Sequence, residues 1–415
     1  MDMNSNILLG EKEVFTTHDA DVKDGIINYR AGHDRYFQTK IEDMFLYVRR
    51  SGETCDEFRA RTNSRLCDAE INAASLFLKV MCDLGDGTLR RGLMPVRDIA
   101  FKSILERARL AGFTFTNDED QADCSAMPLE EKADFINKCF KLYSGYAKVL
   151  YRDRKITSVM SQQYYPIGID VLDSALQEGL KEDYDNIEFD HLNISQEFFS
   201  ERYLINDEEV EEDITLMLSD AGMPANNVKV CVDAYTGDHG NIAATYIARL
   251  KVDDTYVAFG KPVSIKHSGK KSKESLVKAS KKLYKMFRNS EKNLRNLMTV
   301  KVDHPDGCIR LLAKEFHLPK KETMEVAESY ELRTDVTGYE IYFALNDIVR
   351  RVNSGDFQKM ITLQEAVAET LTADYKKYDK VFLWARRTKA EMDAADDEDE
   401  LDLDDNISDD SNAAA

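Results

Sequence analysis

No run of this sequence is apolar for long enough to cross a bilayer: stretches such as Ile71–Met81 (INAASLFLKVM) fall well short of the roughly 20 residues a spanning helix needs. The first residues, MDMNSNILLGEKEVF, lack a basic leading segment and hold only Ile7–Leu9 as an apolar core, so no secretory signal is expected. Cysteine is sparse and unpatterned. The seven (Cys55, Cys67, Cys82, Cys124, Cys139, Cys231 and Cys308) are odd in number, form no CxxC pair and stand beside no His at ligand spacing, which reads as reduced thiols of a cytoplasmic protein. The seven histidines form neither HxxxH nor HxH, so no metal site is expected. A GxxxxGK[ST] phosphate loop is missing, TGDHGN (Thr236–Asn241) lacks the spacing of a nucleotide fingerprint, and no internal repeat is visible. Neither a cofactor nor a catalytic constellation is expected, which favours a binding protein over an enzyme.

What is present is charge, unevenly placed. The 415 residues carry a formal net charge of −20 and are long enough for two or three hydrophobic cores. Glu182–Asp220 holds fourteen acids against the single base Arg202, and the chain from Glu391 onward holds twelve acids and no base. Between them, Lys261–Lys301 holds thirteen Lys and Arg against Glu274 and Glu291. The overall acidity therefore does not argue against a nucleic-acid partner.

The pattern predicts an α+β fold: a helical N-terminal part (residues 1–150), a core (151–318) with a small antiparallel sheet and a long basic helix, a helical C-terminal part (319–389) and a disordered acidic tail (390–415). In the first part, Phe45–Gly52 (FLYVRRSG) reads as a short strand or a helix end. Helices are expected over AEINAASLFLKVMCDLG, from Pro95 to Gly112, and from Leu129 to Arg152. In the core, KITSVMSQQYYPI, NNVKVCVDAYTGDHGN, AATYIARLKV and TYVAFGKPVSIKH have the period of two and the Val, Ile, Tyr and Thr content of strands, with a tight hairpin at Asp253–Asp254. The acidic stretch Gln196–Ser219 is expected as a helix across one sheet face or a loop at its edge. Further on, Thr337 with Glu340 resembles a capping box.

On a helix starting near Ser272, Leu276, Leu283, Phe287, Leu294 and Met298 share one face, and Lys278, Lys281, Lys282, Lys285, Arg288, Lys292 and Arg295 lie away from it. Lys261, Lys266, His267, Lys270, Lys271 and Lys273 precede it on a strand end and a Gly-containing loop. An ordinary surface mixes both signs at i and i+4, so a nearly acid-free stripe calls for an anion, and a phosphate backbone supplies one. Tyr164, Tyr165, Tyr235, Tyr246 and Tyr256 are candidate stacking platforms for single-stranded bases, although alternation buries about half of such residues. The competing reading of the stripe is that Glu182–Asp220 folds against it. Asp238, His239 and His267 offer a third, least supported reading as an acid–base or metal cluster.

The order of RDRKITSVMSQQYYPI, YTGDHGN, AFGKPVSIKHSGKKSKESLVKASKKLYKMF, HLPKK, GYEIYFALNDIV and LQEAVAETLTADYKKYD resembles the phage and plasmid proteins grouped as domain of unknown function 932, over roughly Leu93–Trp384. The resemblance implies a phage or prophage origin and a bacterial host cytoplasm, and carries no established biochemical role. Hairpin strands followed by a long basic helix are also similar in outline to phage single-strand annealing recombinases of the Redβ and Erf type, oligomeric proteins that bind DNA along a basic groove. The acidic tail resembles those of single-strand-binding proteins, which compete with DNA for the groove and recruit partner proteins, but it ends SNAAA where the common bacterial form has an apolar Phe tip. The expected function is thus a phage-encoded protein that binds or anneals single-stranded DNA in replication or recombination, with a homo-oligomer implied by the likeness to the annealing recombinases. The alternative is a structural phage component that self-assembles through complementary acidic and basic faces, Glu208–Asp213 being the acidic candidate.

Overall fold

The structure of the chain, a computed structural model, describes residues 13–83, 89–110, 127–220, 224–237, 243–253, 255–267, 273–352 and 357–382. It is a mixed α+β fold with antiparallel sheets, divided into one compact unit of residues 1–296 with 354–371 and another of 297–353 with 372–415.

The first unit opens with β1 (Phe15–Thr17), α1 (Ala20–His33), β2 (Arg35–Lys40), β3 (Phe45–Val48), α2 (Cys55–Thr62), α3 (Asp68–Asn72), β4 (Leu76–Asp83), β5 (Leu89–Val96), α4 (Ala100–Arg107), α5 (Leu129–Leu142), β6 (Tyr146–Arg152) and β7 (Lys155–Ser161). Six of these strands form a sheet in the order β2-β6-β7-β5-β4-β3, antiparallel except for one parallel bridge between Val96 and Ile156. The N-terminal part is therefore not mostly helical, as its apolar spacing suggested. Leu76, Leu78 and Val80 face a core shared with Ile104 of α4 and Ile136 and Phe140 of α5, while Phe77 faces the other way onto Phe58 and Ile71. A strand buried on both faces reads as an unbroken apolar run, which periodicity cannot tell from a helix. The edge strand β3 is closed by Asn137, whose side-chain amide accepts from Leu46 N (2.6 Å) and donates to Leu46 O (2.8 Å) as a neighbouring strand would.

Beyond lie α6 (Ile169–Leu180), β8 (Ile187–Ile194), β9 (Phe198–Ile205), α7 (Glu208–Asp220), β10 (Val228–Gly237), β11 (Ala244–Val252), β12 (Thr255–Ala258), β13 (Val263–Ile265), α8 (Lys273–Ser280) and α9 (Lys282–Thr299). The order β1-β8-β9-β10-β11-β12, with β13 also on β11, makes a seven-stranded sheet rather than a small one. KITSVM, expected to join it, pairs instead with β6 in the first sheet. The division expected after residue 150 falls within that β6–β7 hairpin, whose turn residues Asp153 and Arg154 have φ of 49° and 63°, the left-handed pair of a type I′ turn. The acidic stretch splits: Phe198–Ile205 is an inner strand of the sheet, and Glu208–Asp220 is a helix. The Asp253 hairpin is present, with Val252 opposite Thr255 and φ 50° at Asp253.

The second unit comprises the end of α9, β14 (Lys301–Val302), α10 (Pro305–Glu315), α11 (Lys320–Glu328), β15 (Val336–Thr337) and α12 (Gly338–Arg351); α13 (Phe357–Thr370) belongs to the first unit, and α14 (Tyr375–Tyr378) to the second. The Thr337–Glu340 capping box is formed in both directions. Trp384 and the acidic tail lie outside the described residues.

Two buried carboxyls on neighbouring strands of the larger sheet reach opposite charge states. Asp233 of β10 sits between Arg202 (2.5 and 2.8 Å) and Arg249 (2.5 Å) and accepts from Tyr235 Oη (2.8 Å). Burial alone would lift its pKa, but the two guanidiniums outweigh that and hold it well below the carboxylate range. Glu201 of β9 is fully buried near Asp173, Tyr203 and Lys23. As a carboxylate it finds no hydrogen-bond donor among the described residues. Burial first, and the neighbouring Asp173 charge second, push its pKa well above the ordinary value. Lys23 Nζ, 3.2 Å from Asp173 and 2.7 Å from Tyr203 Oη, serves Asp173. There burial is outweighed by Tyr203, Lys23 and Gln177, and the pKa falls.

Above the ordinary Glu pKa of about 4.3 the unfolded chain releases a proton that folded Glu201 retains, so this residue makes stability fall as pH rises toward its folded pKa. Glu201→Gln is expected to flatten the decline in melting temperature between about pH 5 and about pH 8 and to raise it at the upper end. Calorimetry across that range checks this; a variant less stable than the native chain at the higher pH would mean that the carboxyl is ionised and needed.

Candidate nucleic-acid interface

Helices α8 and α9 meet at Lys281, whose backbone N still donates to Val277 O (3.0 Å). Their inner face is the expected one: Leu276, Leu283, Phe287 and Leu294 are buried, while Met298 is half-buried and Leu297 closes the face in its place. Phe287 stacks on Phe259 (6.0 Å between centroids) and lies 6.2 Å from Tyr184. Ser280 Oγ donates to Ala175 O of α6 (3.1 Å), and a Cβ on Gly179 would stand 1.7 Å from that hydroxyl, so only glycine permits this helix contact. Ser290 Oγ donates to Phe259 O (3.0 Å), and Gly260, with φ +123°, lies where a Cβ would meet Met286 at 2.5 Å. These contacts leave α9 no freedom of rotation about its axis.

With rotation set, the cations divide into two ranks. The first is neutralised within the chain. Lys273 pairs with Glu178 (2.8 Å), Lys281 with Glu182 (2.5 Å), Arg288 with Asp207 (3.1 Å) and Glu209 (3.0 Å), and Arg295 with Asp213 (3.0 Å) and Glu291 (3.1 Å). The expectation of a stripe free of acids fails for these four, because the ends of α6 and α7 bring distant carboxylates to the flank of α9. Arg288 is the anchor: burial disfavours its charge, but Tyr284, buried Asp207 and Glu209 outweigh that and raise its pKa. Asp207 in turn accepts from Tyr184 Oη (3.0 Å) and Val210 N (3.3 Å).

The second rank is Lys278, Lys282, Lys285 and Lys292. All four are exposed, and among the described residues none has a carboxylate within 4 Å. Their spacing of four, three and seven residues aligns them over about 21 Å, with exposed Asn289 and Asn296 continuing the row, on the side of the helix opposite its buried face.

The segment before the helices contributes less than expected. Lys261 is exposed but paired with Glu369 of α13 (2.6 Å). Lys266 is exposed, whereas Lys270 and Lys271 lie outside the described residues. His267 is not a surface contact. Alternation after β13 turns Lys266 outward and His267 inward, where its Nε2 meets Thr236 Oγ1 (3.2 Å), its Nδ1 meets Tyr165 O (3.1 Å), and its ring stacks on Tyr164 (4.8 Å). Asp238 and His239, proposed as its partners, fall outside the described residues. The tyrosine platforms are mostly used in packing: Tyr164, Tyr235 and Tyr246 are buried, Tyr165 is half-buried, and Tyr256 is covered by the Arg202 guanidinium at 3.9 Å.

No protein-family model, curated protein or solved structure matches the chain.

The two ranks have different consequences for stability. Arg288→Ala is expected to cost about 1–3 kcal/mol, since it leaves the buried Asp207 carboxylate without its cation, whereas Lys285→Ala is expected to stay within about 0.5 kcal/mol. Urea denaturation of the two variants measures this; equal costs would remove the distinction between a structural and a free rank.

Proposed function

We propose that this protein binds nucleic acid, with single strands laid along the ridge Lys278–Lys282–Lys285–Lys292. The observation that carries the reading is that a chain of net charge −20, which places acids beside Lys273, Lys281, Arg288 and Arg295, leaves four aligned lysines without any among the described residues. A row of like charges repels itself, and a strand of phosphates relieves the repulsion while releasing its own counterions. Lys278, Lys282 and Lys285 stand one turn apart and Lys292 two turns further on, with Asn289 between, so one flexible strand can engage several of them. Exposed Lys266 extends the basic surface. The phage setting, and a part in replication, recombination or strand annealing, rest on the resemblance of the sequence to phage protein families. Self-assembly through complementary faces has less support, because Asp207, Glu209 and Asp213 are already engaged with Arg288 and Arg295 of the same chain.

Fluorescence anisotropy of a labelled single-stranded oligonucleotide, titrated at several salt concentrations, tests the proposal. Four phosphate contacts predict a slope of log K against log salt of about −2.8. The triple substitution Lys282→Glu, Lys285→Glu and Lys292→Glu is expected to abolish binding with the fold intact, and a chain ending at Lys389 to bind more tightly once the acidic tail no longer competes. Undiminished binding by the triple variant, or no binding by the native chain at low salt, would sink the reading.

A further inference from the structure

A second site lies at the opposite edge of the seven-stranded sheet, where the first strand ends. β1 pairs antiparallel with β8, Phe15 opposite Ile194, Thr16 opposite Asn193 and Thr17 opposite Leu192. The same register carried one step further places His18 opposite His191. At that point β8 is irregular: Phe189 faces Tyr203 and His191 faces Arg202 of β9, so Asp190 is an extra residue in a β-bulge. Bulges re-aim side chains at sheet edges, and this one groups His18, Asp190 and His191 with a donor atom from each within 4.8 Å of the others.

The hydrogen bonds settle which nitrogens are free. His18 Nδ1 lies 2.7 Å from the carbonyl oxygen of Asp190, and His191 Nδ1 lies 2.8 Å from Asp190 Oδ2. A carbonyl and a carboxylate only accept, so both Nδ1 atoms carry the proton and, in the neutral rings, both Nε2 atoms present bare lone pairs. Donation of Nδ1–H to a backbone carbonyl is the outer arrangement that orients a metal-binding histidine, as at His18, whereas the His191–Asp190 hydrogen bond joins two groups that part when both bind one ion. Asp190 Oδ1 takes part in no hydrogen bond among the described residues and supplies an anionic oxygen.

We infer that His18, Asp190 and His191 form a binding site for a divalent transition-metal ion of the zinc class, two imidazole nitrogens and one carboxylate oxygen, with a position left open to solvent on the exposed His18 side. Bonds of 2.0–2.1 Å in a tetrahedron set donors about 3.4 Å apart, so the group closes on the ion by rotation of exposed or half-buried side chains, which exchanges the His191–Asp190 hydrogen bond for bonds to the metal. Its effect on the fold is to staple β1, a three-residue edge strand, to β8.

Isothermal titration of the full-length, chelator-dialysed protein with Zn²⁺ tests the inference, with circular dichroism as the check on folding. One site tighter than the background of acids and thiols is expected, weakened at least about 100-fold in His18→Ala and in His191→Ala and unchanged in His33→Ala, whose ring stacks on Tyr29 elsewhere on the surface. Zn²⁺ is also expected to raise the melting temperature of the native chain but not of His18→Ala, a substitution at an exposed position that does not threaten the core. Isotherms of His18→Ala that superimpose on the native one, or no site above background, would overturn the assignment.

Discussion

The rotational setting of α9 governs the rest of the surface. Leu283, Phe287 and Leu294 are buried on one side, and Ser280, Ser290, Gly179 and Gly260 hold α8 and α9 at backbone distance from α6 and the Phe259 segment. Once that side is inward, the identity of every outward residue follows from the 3.6-residue repeat. A rotation by one residue would expose Phe287, so the cation ranks cannot exchange places without a loss of apolar burial of roughly 1.5–3 kcal/mol for that ring alone.

The same sheet shows how charge is made tolerable inside a fold. Glu201 and Arg202 are adjacent in β9 and so point to opposite faces. On one face Asp233 keeps its charge because two guanidiniums and a phenol surround it; on the other, Glu201 faces a carboxylate already served by Lys23 and keeps its proton instead. The difference lies in the count of nearby donors. The surface follows the same rule at lower stakes, since the cations with carboxylates beside them are held within the fold and those with none among the described residues are not neutralised in this way.

Much of the local structure was legible. The Thr337–Glu340 cap, the strands around Tyr235 and Tyr246, the Asp253 turn and the apolar face of α8 and α9 all depend on residues within a few positions of one another, which is the range over which periodicity and turn chemistry act. Leu76–Asp83 was misread because burial on both sides of a strand erases the alternation that would reveal it. Lys155–Ser161 was read as a strand but assigned to the wrong sheet, since partner choice is not encoded in a strand's own pattern.

The candidate sites divide along the same line. The amino-acid order by itself determined that a long helix would carry many cations on its polar side, because a fixed rise and turn convert spacing into faces. Which of those cations stay free was decided by Glu178, Glu182, Asp207, Glu209 and Asp213, and the His18–His191 pairing by a strand register and a bulge across more than 170 residues of chain. Electrostatic and metal-ligand interactions act over a few ångströms of space and are indifferent to sequence separation. Only the tertiary fold, by setting those distances, could settle them.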